Sequence, residues 1–190
     1  MPIKAYYCAT VPSFLSDDPD RILGVLTTAH HHALEEPQRW AWQQQILILK
    51  EALDARPDWQ IFLEFYIPRM GKRADALLIA ENIVFLIEFK AGATIHASSA
   101  FDQVEDYALD LKNFHEGSHN VPIIPVLVST DAETQPSPEI KYAKDLVAKP
   151  IATNRTDLGC LIHGVCKSRA FPALDIKDWI GLAPIFETTS

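Results

Sequence analysis

The sequence predicts an α/β protein built on a central mixed sheet, its core elements ordered helix, three strands, helix, strand. Three observations carry this expectation. Residues 60–67, 74–80 and 83–90 form three successive runs rich in β-branched and aromatic residues, with a turn-forming pair, Glu81-Asn82, between the last two. Ile83 to Phe89 is apolar almost throughout, the pattern of a strand buried on both faces. A segment with helical periodicity, about Ser99 to His115, then separates it from another apolar run, Val121 to Val128, as a crossover between parallel strands requires.

The remaining elements follow from local chemistry. Met1 to Pro12 mixes aromatic and β-branched residues and reads as a short strand or an arm on the sheet. Asp17-Asp18-Pro19 starts a helix with Ile22, Leu23, Val25 and Leu26 as its apolar face. Pro37 opens the next, which carries Trp40, Trp42, Ile46, Leu49 and Leu53 at near-helical spacing and ends at Arg56-Pro57-Asp58. Both tryptophans are expected in the core ahead of a base-stacking role. Pro68 to Lys72 reads as a turn with Gly71 at its tip. In the helix near 99–115, Val104, Ala108, Leu111 and Phe114 form the core stripe. Residues 131–138 read as an exposed loop with the composition of disorder, 142–152 as an edge strand, Asp157 as the cap of a helix holding Leu158, Leu161, Ile162 and Val165, and 175–182 as a short final helix.

With 190 residues, 48% of them hydrophobic, the chain suits one domain over 1–182 and a tail or linker over 183–190. It has no 18-residue apolar stretch, so no membrane span is expected, and no secretory hydrophobic region at its start. Cys8, Cys160 and Cys166 suggest neither a disulfide framework nor a CxxC metal site, which favours a cytoplasmic protein. His30-His31-His32 invites a metal reading, but consecutive helical residues point about 100° apart, so a solvated or partly packed run is the better expectation. His115 and His119 are four apart, yet Gly117-Ser118 between them breaks the helix. The net charge of −8 opposes a general nucleic-acid coat. Arg69, Lys72, Arg73 and Lys90 nevertheless cluster in one stretch, and a local basic rim steers phosphates even on an acidic protein.

That stretch holds the candidate chemistry. Glu88 and Lys90 are two apart and project from the same face of a strand. Pairing around Glu81-Asn82 puts Asp75 opposite about position 88, with Cβ atoms roughly 5 Å apart. Two such carboxylates repel and bind protons more tightly unless a divalent cation lies between them, and magnesium, which takes few protein carboxylates, suits the arrangement. Gln103 and Tyr107 lie one helical turn apart on the following helix. The bland alternatives are a cross-strand salt bridge of Asp75 or Glu88 with Lys90 or Arg73, and Tyr107 as a core aromatic with its hydroxyl hydrogen-bonded.

An Asp, a hydrophobic hairpin and Glu-x-Lys, here Asp75, Glu88 and Lys90, resemble the active site of the PD-(D/E)xK nuclease superfamily. The resemblance implies a restriction-endonuclease-like core (αβββαβ) and Mg2+ or Mn2+ held by Asp75, Glu88 and the Phe89 carbonyl. It further implies Lys90 positioning water or stabilising developing charge, Gln103 and Tyr107 as the additional helical motif, and Glu64 as an accessory acid. Arg69, Lys72, Arg73 and Tyr107 would contact substrate. Many members carry a glutamate on the first core helix, where this chain has Gln43-Gln44-Gln45, a weaker set of cation ligands.

A wider likeness runs from Ala5 to Val128, above all in Ile67-Pro68-Arg69-Met70-Gly71-Lys72-Arg73, Glu88-Phe89-Lys90 and Asp106-Tyr107-Ala108-Leu109-Asp110-Leu111-Lys112-Asn113-Phe114-His115. It is similar to the N-terminal nuclease-like region of bacterial Schlafen group 3-like DNA/RNA helicases. The chain has no Gly-x-x-x-x-Gly-Lys-Ser/Thr phosphate loop, so by this likeness it corresponds to the first domain alone, with a helicase or ATPase domain or partner to follow. The expected activity is metal-dependent hydrolysis of phosphodiesters, DNA ahead of RNA, in nucleic-acid processing or phage defence. A homodimer is the arrangement double-strand cleavage would call for. The competing expectation is an inactive nuclease-fold module that binds nucleic acid or a partner.

Overall fold

The computed structural model of the chain describes residues 4–31, 35–67, 69–136, 138–168 and 170–181. His32 and the 183–190 tail lie outside them. The protein is a mixed α/β structure with a six-stranded sheet flanked by helices. The strands β1 (Tyr7–Thr10), β2 (Gln60–Ile67), β3 (Lys72–Ala80), β4 (Ile83–Lys90), β5 (Ile123–Ser129) and β6 (Ile151–Thr153) lie side by side in chain order. Neighbours from β1 to β4 are antiparallel, and β4, β5 and β6 are parallel.

The direction changes between β4 and β5. A two-residue turn returns β3 into antiparallel β4. A parallel partner needs a crossover, which α4 (Ser98–Phe114) provides between β4 and β5. Helices α1 (Val11–Ser16), α2 (Pro19–Ala29), α3 (Glu36–Ala52) and α5 (Leu158–Ser168) bury their apolar stripes against one face of the sheet. On the other face lie α4 and, from α6 (Ile176–Gly181), Trp179, whose ring packs on Phe62, Phe65 and His115 while its Nε1 donates to Ser118 Oγ at 3.1 Å. His115 is thus a core residue, its Nδ1 2.8 Å from Ser118 Oγ.

The β3–β4 turn is built as its residues dictate. Glu81 and Asn82 both have positive φ, 48° and 65°, the geometry of a type I′ hairpin that matches the strand twist. Asn82 also donates to the Phe171 carbonyl and accepts from Leu174 N–H, tying the turn to the C-terminal segment.

Four expectations need correction. Trp42 is in the core at 1% exposure, but Trp40 is 47% exposed: two residues turn a helix by about 200°, so the pair cannot share one stripe. Phe114, the last residue of α4, is 44% exposed with the Arg69 guanidinium 4.3 Å from its ring centre. Ahead of α5 it is Asn154, not Asp157, whose side-chain oxygen accepts from the backbone N–H groups of Thr156 and Asp157. The edge strand shrinks to Ile151–Thr153 with isolated bridges at Tyr142–Ala148 and Ile123–Val147, because Pro150 has no N–H to extend the ladder. The loop after β5 is anchored at its start, where Arg155 Nη2 donates to Asp131 Oδ1 at 2.9 Å and Asn154 Nδ2 to the Ala132 carbonyl at 3.1 Å.

Candidate active site

The sheet keeps strict side-chain alternation except along one transverse row. In β2, Ile61 and Leu63 face the α3 side, yet Phe62, Phe65 and Ile67 all face the α4 side, so the alternation slips at Glu64, which has φ 54°. In β3, Ala76, Leu78 and Ala80 face α3 while Ala74, Leu77 and Ile79 face α4, and the slip falls on Asp75. The registers Leu63–Ala76 and Phe65–Ala74 set Glu64 opposite Asp75. The β3–β4 pairing from Ala80–Ile83 to Ala76–Ile87, continued one step, sets Asp75 opposite Glu88. Three carboxylates on three adjacent strands therefore stand in line.

Side chains complete the hydrogen bonding at that row. Asp75 N–H donates to Glu88 Oε1 at 3.1 Å, and Phe89 N–H donates to Asp75 Oδ2 at 2.7 Å. From α3, Trp42 Nε1 donates to Glu64 Oε1 at 2.6 Å, and the Gln45 amide hydrogen-bonds to Asp75. From α4, Gln103 Nε2 donates to Glu88 Oε2 at 3.1 Å and to the Tyr107 hydroxyl at 3.2 Å, while Gln103 Oε1 accepts from Lys90 Nζ at 2.9 Å. One amide thus links Glu88 and Lys90, which share the α4 face as their two-residue spacing predicts.

The electrostatics are those of crowded, poorly hydrated acid. Burial raises the proton affinity of Glu64, with Asp75 adding to it, to a pKa of about 7. Burial likewise raises that of Asp75, against the hydrogen bond from Phe89 and the charge of Lys90. Glu88, 3% exposed, is pushed well up by burial and then by the Asp75 charge.

The donor set of Asp75, Glu88 and the Phe89 carbonyl fits a hard divalent cation, since it is all oxygen and has acidic repulsion to relieve. The carboxylate oxygens already receive N–H donors but keep lone-pair capacity beyond them. Among the described residues no group of three or more His, Cys, Asp and Glu is placed to hold a metal ion. Glu64, engaged by Trp42, fits an accessory position better than a third ligand.

The other candidate residues lie at the same end of the sheet with different duties. A cavity of about 280 Å³ opens beside the site, lined by Lys90, Ala93, Ile95, Ala97, Ser99, Ala100 and Gln103. Lys72 is exposed at the start of β3. Arg73 donates through Nη1 to the Glu64 carbonyl at 2.6 Å and lies over the Tyr6 and Tyr66 rings, and Arg69 rests on Phe114. Tyr107 is 3% exposed and braces Gln103 from the core, its ring packed and its hydroxyl hydrogen-bonded as in the bland alternative.

Sequence reasoning missed the part played by Trp42, and it named Gln45 only within the run Gln43-Gln44-Gln45 without singling it out as the residue that meets Asp75. The available signal was a glutamine in phase with Trp42 and Leu49 on the buried stripe of α3, since an amide on a core face must find a polar partner. Compared with known proteins, the chain matches no protein-family model, no curated protein and no solved structure.

Proposed function

We propose that the protein is a metal-dependent nuclease that hydrolyses phosphodiester bonds, of DNA ahead of RNA, in the manner of the PD-(D/E)xK superfamily and its restriction-endonuclease-like fold. The observation that carries this reading is the junction of Asp75 and Glu88 with Lys90 through the single amide of Gln103. A structural salt bridge would pair Lys90 directly with a carboxylate. Here the ammonium is held beside an open cavity by a neutral amide, available to an incoming anion.

Asp75, Glu88 and the Phe89 carbonyl would hold Mg2+ or Mn2+. When bound, such a cation polarises the scissile phosphate and lowers the pKa of an attacking water. Lys90 offsets the negative charge that gathers on the phosphate oxygens, and does so without reorganisation because Gln103 fixes its Nζ. Tyr107 orients Gln103, Gln45 supports Asp75, and Trp42 holds Glu64. Lys72, with Arg69 and Arg73 near it, supplies the rim that draws in the strand.

A second reading, a catalytically silent module that binds nucleic acid or a partner helicase or ATPase, draws on one observation. The α3 residue at Asp75 is Gln45, a neutral amide where a glutamate would add a ligand. The experiment that separates the two incubates the protein with single- and double-stranded DNA and RNA, with Mg2+, Mn2+ or chelator, beside Glu88→Gln. Cleavage that needs the cation and disappears in the variant supports the nuclease. Absence of cleavage by folded protein supports the module.

A further inference from the structure

A large aromatic surface near the site stands half exposed. Trp40 is 47% exposed, whereas the other three tryptophans, Trp42, Trp59 and Trp179, are at most 2% exposed. Its ring reaches the loop that follows the candidate lysine: Cη2 lies 3.7 Å from where a Cβ on Gly92 would stand. Gly92 adopts φ 76°, which favours glycine, and its N–H donates to Thr130 Oγ1 at 2.8 Å, so the loop against the ring is fixed. Trp40 is also rigidly coupled to the acidic row, because the same helix presents Trp42 to Glu64 and Gln45 to Asp75. The ring stands on the α3 flank of the β4 exit, and Lys90 with Gln103 stands on the α4 flank.

We propose that Trp40 is a stacking platform for one unpaired nucleobase of a single-stranded substrate, seated next to the phosphodiester that the acidic row addresses. This inference rests on the nuclease reading for the place of the phosphate, and goes beyond it in naming the strand class. A half-exposed indole offers a flat apolar face that a base can cover, and base–aromatic stacking tolerates any sequence. Bases inside a duplex are already stacked on one another, so the platform selects single strands, flaps or frayed ends. It also addresses the charge problem. A chain of net charge −8 gains little from counterion release, and stacking supplies affinity that does not depend on neutralising phosphates.

The test reads tryptophan fluorescence in chelator, so that binding is observed without cleavage. The protein is titrated with short oligothymidylate, with an abasic oligomer of the same length and charge, and with a blunt duplex; Trp40→Phe serves as the reference that removes the exposed fluorophore. The expected result is quenching and protection from acrylamide by oligothymidylate alone, both lost in Trp40→Phe. Trp40→Ala should bind the single strand about ten- to a hundredfold more weakly, with Trp40→Phe keeping most of the affinity. Equal effects of the abasic oligomer, equal binding by Trp40→Ala, or no response to the single strand overturns the inference. Cleavage with Mg2+ is measured on the same preparations. Quenching without cleavage overturns the nuclease reading and leaves the platform standing, and cleavage without quenching does the reverse.

Discussion

The two ends of the β3–β4 hairpin share one register and have opposite chemistry. At the closed end Glu81 and Asn82 take positive φ, and the strain is matched by structure: a type I′ turn, one hydrogen bond donated and one accepted by Asn82 with the C-terminal segment, and Trp59 Nε1 on Glu81 Oε1 at 3.3 Å. At the open end Glu64 also takes positive φ, but no turn requires it. It marks a row where carboxylates receive the backbone N–H groups of Asp75 and Phe89, and where three acids gather with too little water. Polar residues at the closed end are spent on folding. Those at the open end oppose it, and strain without structural need is the feature that points to function.

The contrast can be broken by mutation at either end. Glu88→Gln keeps one of the two hydrogen-bond acceptor oxygens and removes the charge. It should cut cleavage roughly a thousandfold or more and, in metal-free protein, raise the thermal midpoint, read by a nuclease assay and by calorimetry. Lys90→Ala should slow cleavage about a hundred- to a thousandfold while calorimetric Mn2+ binding persists, because in the proposed function the ammonium stabilises developing charge and holds no cation. Tyr107→Phe removes the hydroxyl that Gln103 donates to. A net hydrogen bond of about 1 kcal/mol corresponds to a roughly fivefold loss in kcat, with KM little changed.

At the closed end the pattern should invert. Asn82→Ala forfeits left-handed tolerance and both side-chain bonds, so denaturant unfolding should show a loss of about 1–2 kcal/mol while cleavage is unaffected. The smallest expected effect concerns pH. Glu64, raised to about 7, keeps its proton in the folded state over a range where the unfolded chain has released it, so metal-free stability is lost as pH rises from about 4.5 to 7. His115, lowered to about 4 by burial, contributes the opposite slope: the unfolded chain binds its proton from about 6.5 downward and the folded protein does not. The informative quantity is therefore the difference between wild type and Glu64→Gln, which should favour the variant progressively as pH rises through that window.

Much of this arrangement was legible because it depends on local rules. The run Ile83–Phe89, the Glu81-Asn82 turn and the crossover α4 fixed β3, β4 and β5 and their directions, and two-residue and four-residue spacings grouped Glu88 with Lys90 and Gln103 with Tyr107. What escaped depends on tertiary phase. Trp40 and Trp42 look alike in composition, and only the rotation of α3 against the sheet decides that one faces solvent and the other Glu64. Gln45 reads as one of three adjacent glutamines set where a cation ligand is expected, and only the strand slip decides that it is the one that meets Asp75. That slip, a single residue in each of β2 and β3, leaves no compositional trace. Asn154 displaced Asp157 as the α5 cap for a similar reason, since both residue types cap helices and only the path of the chain from β6 chooses between them.

The central claim is that the open end of the hairpin is a divalent-cation site. The most direct measurement is a calorimetric titration of Mn2+ into the protein, Asp75→Asn and Glu88→Gln, with far-ultraviolet circular dichroism confirming that all three are folded. The account predicts binding by the wild type and its loss in both variants. Failure of the folded wild type to bind Mn2+, or undiminished binding by both variants, would contradict it.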